Sequence, residues 1–263
     1  MEMVNEIKKL VDAKKEAFLH ADDLVWEYAE IGFKEFQSAK ALTDVLKAEG
    51  FAVEEGVAGI PTAFVASWGE GKPIIGLLGE YDALPALKHA AGDPVESTEI
   101  VSENGHGCGH NLLGAGALGA AVAVKDYMQA HGLKGTIRYY GCPGEEFGSG
   151  KMFMARGGLF DDLDAAFTWH GGAYNAITAD HSLANLCAYF KFKGRTSHAA
   201  GSPHLGRSAL DACELMNVGC NYLREHILPD ERIHYAYTDV GGSAPNVVQD
   251  HACVFYYVRS PRL

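Results

Sequence analysis

The run Pro73-Ile-Ile-Gly-Leu-Leu78 carries no polar side chain on either face. A strand that is apolar on both sides must be covered on both sides, as an inner strand is in a sheet layered with helices. Its neighbours supply such layers. The first thirty residues read as helix. Residues 38–49 read as a second helix, with Ala39, Leu42, Val45 and Leu46 along one side and Gly50 as its stop. Residues 62–68 and 136–140 are strand-like, 111–130 form a small-residue helix closed by Gly132, and 151–156 form a short helix before Gly157-Gly158. Residues 165–169 read as another buried strand, and the polar stretch 88–105 as loop. Strands alternating with helices predict an α/β fold around a mostly parallel sheet.

The pattern changes after about residue 175. Residues 186–193 alternate as a half-buried strand, and 207–225 form a long helix with Leu210, Cys213, Leu215, Met216, Tyr222 and Leu223 among its apolar positions. Residues 232–240 and 252–259 alternate again. A β-α-β-β unit of this kind calls for another helix and a fourth strand, so the second domain reads as unfinished at its C-terminus. We expect two domains, 1–180 and 181–263, which a length of 263 residues accommodates.

A net charge of −12 with no basic run argues against nucleic acid or an anionic membrane as partner. The N-terminus lacks the apolar centre of a signal peptide, and the longest uncharged apolar run, 112–124, is too short and glycine-rich to span a bilayer. Six cysteines scattered through a chain of this size point to a reducing cytoplasm, with each thiol either buried or chemical.

Two familiar patterns carry no function by their context. Gly114-Ala-Gly116-Ala-Leu-Gly119 matches a dinucleotide fingerprint but lies inside a helix, where small residues serve close packing. Gly148-Ser-Gly-Lys151 lacks the glycine spacing and the hydroxyl of a phosphate loop and reads as a turn before a helix. Four other segments are chemical. In Asn104-Gly-His-Gly-Cys108-Gly-His110-Asn, glycines alternate with metal-binding side chains at the start of a helix. A glycine-rich loop with a free thiol would look the same. Gly141-Cys-Pro-Gly-Glu145-Glu146 places adjacent carboxylates after a strand, one able to ligate a metal while the other handles a proton; a solvated acidic turn is the plain alternative. Trp169-His170-Gly-Gly and Gly79-Glu80-Tyr81-Asp82 also follow strands, where α/β sheets bind ligands, although taken alone His170 reads better as a satisfied core histidine.

Taken together and in this order, GEYDALP, NGHGCGHN, GCPGEE and TWHGG resemble the amidohydrolase branch of the aminoacylase/carboxypeptidase-like dinuclear metallopeptidases. The likeness runs from about residue 15 to the last residue. It implies a zinc-exopeptidase-like catalytic domain with an inserted α+β, ferredoxin-like lid and dimerisation domain. It implies two divalent ions, Zn2+ or Mn2+, held by Cys108, His110, Glu146 and His170. Glu145 would be the general base that takes a proton from water and returns it to the leaving amine, and Asp82 would orient a ligand. His198, in Thr196-Ser-His198, would stabilise the oxyanion in the site of a neighbouring protomer. Asn246 would contact substrate, and Arg259 is a candidate for gripping a substrate carboxylate, or else a surface arginine at a strand end. The implied reaction is hydrolysis of an amide bond to an amino acid, with aminobenzoyl-glutamate or a similar acyl-amino acid or dipeptide as the small-molecule substrate. The implied assembly is a homodimer or a hetero-oligomer with a related chain.

Three departures stand out. Glu80 occupies a place where more distant peptidases carry a metal-binding histidine. Phe147 replaces an expected glycine after the glutamate pair, which would narrow the pocket. A fifth ligand, a histidine expected in a long C-terminal segment, has no counterpart. Two rivals therefore remain: a truncated, non-catalytic fragment or subunit that keeps the fold, and a cysteine hydrolase using Cys108. The paired glutamates and His110 speak against the second.

Overall fold

The computed structural model describes residues 2–92, 95, 102–177 and 181–262. They form two compact units, Met1–Asn175 and Ala176–Leu263. The first contains α1 (Glu2–Tyr28), α2 (Phe36–Ala48), β1 (Ala52–Glu55), β2 (Phe64–Glu70), β3 (Ile74–Gly79), α3 (His110–Ala130), β4 (Gly135–Gly141), the single turn α4 (Glu145–Gly148), α5 (Gly150–Arg156) and β5 (Ala165–Phe167). Its sheet runs β1-β2-β4-β3-β5. The pairs β3/β4 and β3/β5 are parallel, and β1/β2 and β2/β4 are antiparallel, so the sheet is mixed.

Both faces are covered. On one, Ile75, Leu77, Ile137 and Tyr139 pack with Phe18, Val25, Leu42, Leu46, Leu118 and Val122 from α1, α2 and α3. On the other, Leu78 and Tyr140 pack with Val57, Ile60, Met154 and Phe160. The two-sided apolar pattern of β3 thus meets a separate core on each side. β1 escapes the sequence reading because Ala-Val-Glu-Glu is short and half charged. The expectation that residues 165–169 form a buried strand fails. β5 is three residues long at the sheet edge, and Phe167 and Trp169 are 59% and 44% exposed. Much of the expected 88–105 loop, residues 93–94 and 96–101, lies outside the described residues.

The glycines of α3 are packing positions. A Cβ at Gly114 would lie 2.8 Å from the Glu80 carbonyl oxygen, at Gly116 2.8 Å from the Trp169 ring, and at Gly119 3.2 Å from Phe18. Beside this helix, Lys125 and Lys14 both pair with Glu49 and Asp126 at 2.5–2.9 Å, tying α1 and α3 to the end of α2. Burial pushes the Glu49 and Asp126 carboxyls up, but the two lysines outweigh it and hold both below their ordinary values.

The second unit contains β6 (Ala184–Lys193), α6 (Ala209–Leu223), β7 (Arg232–Asp239) and β8 (His251–Ser260), in sheet order β6-β8-β7 with antiparallel pairing throughout. The Ser208 side chain accepts from Asp211 N and caps α6. Ala209 and Cys213 pack on Ala252, Val254 and Tyr256 of β8. One cysteine departs from expectation: Cys187 is exposed on β6 rather than buried or placed in the site. Its neighbours on that strand are largely exposed as well, because α6 covers the opposite face. Among the described residues, no helix is long and apolar enough to cross a membrane.

This packing has two consequences for stability. Alanine usually favours a helix over glycine by about 1 kcal/mol, but overpacking costs about 1–3 kcal/mol. Gly114→Ala should therefore lower the midpoint of urea unfolding; a raised midpoint would mean that α3 is free to shift. Lys125→Met should cost about 1.5–3 kcal/mol at pH 7, because Glu49 and Asp126 lose the more buried of their two lysine partners and keep Lys14. Glu49 and Asp126, depressed in the folded chain, stabilise it above their ordinary values and lose that contribution as pH falls through and below them. The deficit of Lys125→Met should accordingly shrink below about pH 4.5 in urea titrations repeated across pH.

Candidate metal centre

The C-terminal ends of β3 and β4 lie side by side, and Cys142 N donates to the Gly79 carbonyl at 2.9 Å. The chain leaving β3 carries Glu80 and Asp82. Leu84 then exchanges backbone hydrogen bonds with Gly105 at 2.9–3.0 Å, which brings the glycine-histidine segment back beside the strand ends. Gly109, at φ 78°, turns the chain into α3 so that His110 is its first residue.

His110 is fully buried. Its Nδ1 lies 2.9 Å from Asp82 Oδ1, and the other oxygen of Asp82 accepts from Glu146 N at 3.0 Å. A proton held at Nδ1 leaves the Nε2 lone pair facing outward. Nε2 stands 3.1 Å from Glu80 Oε2, and neither atom has an assigned hydrogen-bond partner among the described residues. Cys108 Sγ lies 3.2 Å from His170 Nε2, while His170 Nδ1 contacts the Gly171 carbonyl at 3.0 Å. Ligand atoms of Cys108, His110 and His170 lie within 4.8 Å of one another, as do those of Glu80, His110 and Glu145. Burial, then the nearby Glu146 carboxylate, push the Cys108 thiol up to about 11. Burial and Glu80 also raise Glu145. For His110, burial acts downward, but Asp82 together with Glu80 and Glu146 outweighs it, and its pKa is raised.

Three residues that the motifs left unassigned shape this site. Glu80 contributes a buried oxygen. Lys151 pairs with the other Glu80 oxygen. Glu35, fully buried, accepts from Gly144 N at 2.7 Å and from Thr62 Oγ1 at 3.1 Å, fixing the loop before Glu145. Only Glu80 had a visible signal, its place two residues before Asp82. Phe147 packs against Gly32 with nearly half its surface exposed.

The remaining candidates belong to the second unit. The exposed His198 bridges to Val247, and its Nδ1 accepts from the backbone of Ala200 and Gly201 at 3.2 and 3.1 Å. The neutral ring then carries its proton on Nε2. The Asn246 carbonyl accepts from Ala199 N at 2.9 Å, so His198 and Asn246 lie on adjacent segments. Arg259 stacks 5.6 Å over Tyr257, with a buried Nε that has no hydrogen-bond partner among the described residues.

The donor set fits a divalent cation. With the His110 proton on Nδ1, two buried acceptors face each other at 3.1 Å, an arrangement that is costly unless they share a further proton or a cation. Thiolate, imidazole and carboxylate together suit zinc and its neighbours.

Residues 76–256 match the family model described as Peptidase family M20/M25/M40. The chain is 50% identical over 262 residues to one of the subunits of p-aminobenzoyl-glutamate hydrolase from Escherichia coli (strain K12), covering 100% of this chain and 54% of that protein. It is 30% identical over 255 residues to the Xaa-Arg dipeptidase of Mus musculus, covering 91% and 54%. The fold matches the crystal structure of an aminobenzoyl-glutamate utilization protein from Klebsiella pneumoniae with a TM-score of 0.67 at 20% identity, covering 97% of this chain and 70% of that one. The chain thus spans about half the length of these curated relatives. With the strand-end cluster of thiol, imidazole and carboxylate groups, these matches make the chain a member of peptidase family M20/M25/M40.

Proposed function

We propose that the protein hydrolyses the amide bond of an acyl-amino acid, with aminobenzoyl-glutamate as the substrate. It would do so at a centre of two divalent cations, zinc or manganese, held by Cys108, His110, Glu146 and His170. The observation that carries this reading is the meeting of Cys108, His110 and His170 ligand atoms within 4.8 Å, beside the overlapping group of Glu80, His110 and Glu145. The substrate follows from the 50% identical relative, whose name specifies that hydrolysis.

When bound, the cations would polarise the scissile carbonyl and make water more acidic. The chain's own groups do the rest. Glu145 accepts the proton of the attacking water and passes it to the leaving amine. Asp82 keeps the His110 proton on Nδ1 and anchors the backbone of Glu146. His198, with its proton on Nε2, is a donor suited to an oxyanion, and we assign it to the site of a neighbouring protomer. Asn246, on the adjacent segment, and Arg259 contact the substrate, the latter through its carboxylate. The first unit is the catalytic domain, and the second the lid and dimerisation domain. The assembly is a homodimer or a pairing with a related chain, the second supported by a relative named as one subunit of its hydrolase. Free cysteines agree with a cytoplasmic setting.

Glu145→Gln in the active assembly tests the reading. Turnover of aminobenzoyl-glutamate, followed by released aminobenzoate, should fall by about 10²–10⁴-fold with metal content unchanged. A loss below about tenfold would remove Glu145 from acid–base chemistry, since positioned proton transfer contributes more than that. Loss of metal together with activity would exchange the roles of Glu145 and Glu146.

A further inference from the structure

Gly148-Ser-Gly-Lys151 is no phosphate loop, yet the fold gives its lysine a defined place. Ser149 N donates to the Gly144 carbonyl at 2.8 Å, and Gly150 N to the Pro143 carbonyl at 3.0 Å. A Cβ on Gly150 would collide with that Pro143 oxygen, so glycine alone permits this approach. The start of α5 is thereby tied to the segment that carries Glu145 and Glu146. Lys151, the second residue of α5, directs Nζ to Glu80 Oε1. The side chains are 25% and 9% exposed, so the pair is largely withdrawn from solvent.

The two oxygens of Glu80 therefore differ. Oε1 is held by Lys151, whereas Oε2 lies 3.1 Å from His110 Nε2, and both of these atoms lack an assigned hydrogen-bond partner among the described residues. A carboxylate anchored through one oxygen has its plane fixed, and the other oxygen points in one direction. We infer that Lys151 is a positioning residue of the metal centre: by holding Oε1 of Glu80 it aims Oε2 into the space beside His110 Nε2, where Glu80 serves as a further donor to the cation. The inference rests on the metal-centre reading above.

A simpler role would have Lys151 only offset the negative charge of Glu80 and Glu145, both of which act on it electrostatically. The two roles differ in sign. If Lys151 acted through space alone, removing its charge would make the pocket more negative and cation binding tighter. If it positions Glu80, its removal weakens binding, and only while Glu80 is present.

The experiment measures dissociation constants for Mn2+ and Zn2+ by competition with a chelating indicator. The proteins are the metal-free wild type, Lys151→Met, Glu80→Gln and the double variant, with thermal unfolding of each as a check on folding. Lys151→Met should weaken one bound cation by about 10–100-fold, the range for lost partners of metal ligands. In the Glu80→Gln background the same change should alter affinity by less than about twofold, because residues that act as one unit are not additive. The visible bands of bound Co2+ should shift with Lys151→Met in the wild-type background and stay fixed in the Glu80→Gln background. Unchanged or tighter binding in Lys151→Met overturns the inference, as does equal weakening in both backgrounds. Glu80→Gln alone must also weaken one cation, and unchanged affinity there overturns the inference even if Lys151→Met does not fold. A wild type that takes up no divalent cation overturns the metal-centre reading itself, an outcome distinct from the others.

Discussion

A single buried carboxylate organises the site. Asp82 is 1% exposed and uses one oxygen for His110 Nδ1 and the other for Glu146 N. It stands on the chain leaving β3, yet it fixes the first residue of α3 and the first turn after β4. Three segments distant in sequence are thereby held to one another. A buried charge is tolerated only when its acceptor capacity is used, so the arrangement favours one geometry over its alternatives. Removing either partner would leave a charge in a dry place, and both neighbouring motifs would lose their register.

Around that anchor the balance of charge is lopsided. Glu80, Asp82, Glu145 and Glu146 crowd His110, and Lys151 answers part of their charge. The consequences are visible in the upward shifts of Cys108 and Glu145, each begun by burial and increased by neighbouring carboxylates. A divalent cation reverses this logic, because it favours thiolate and carboxylate over their protonated forms. The same crowding that burdens the bare protein is what would make the pocket selective for a cation.

The second unit is organised more simply. One helix covers one face of a three-stranded sheet, and the loops beyond the strands bring His198 and Asn246 onto adjacent segments. The backbone of Ala200 and Gly201 sets the His198 tautomer, so the residue presents a donor without help from another side chain. Arg259 is stacked on Tyr257, which restricts its guanidinium.

Residue order alone decided the element types and the chemical groups. The two-sided apolar run of β3, the period of α3 and the β-α-β-β order of the second unit were legible because burial period and strand length are local properties. Cys108, His110, His170 and Glu145 stood out because few residue types offer ligand atoms, and the structure brings ligand atoms of all four into two overlapping groups. Other features required the third dimension. Among the described residues β5 is an exposed edge strand, and strand order rather than composition sets which strands have two neighbours. Antiparallel β1 and β2 turned the sheet mixed through pairings that no local pattern specifies. Glu35 stands in no motif and Lys151 only in a pattern set aside as a turn, and their contacts exist only because Gly144 and Glu80 arrive beside them from more than 70 residues away in the chain. Burial and pairing belong to neighbours in space, and those neighbours are chosen by the packing of the sheet between its two cores.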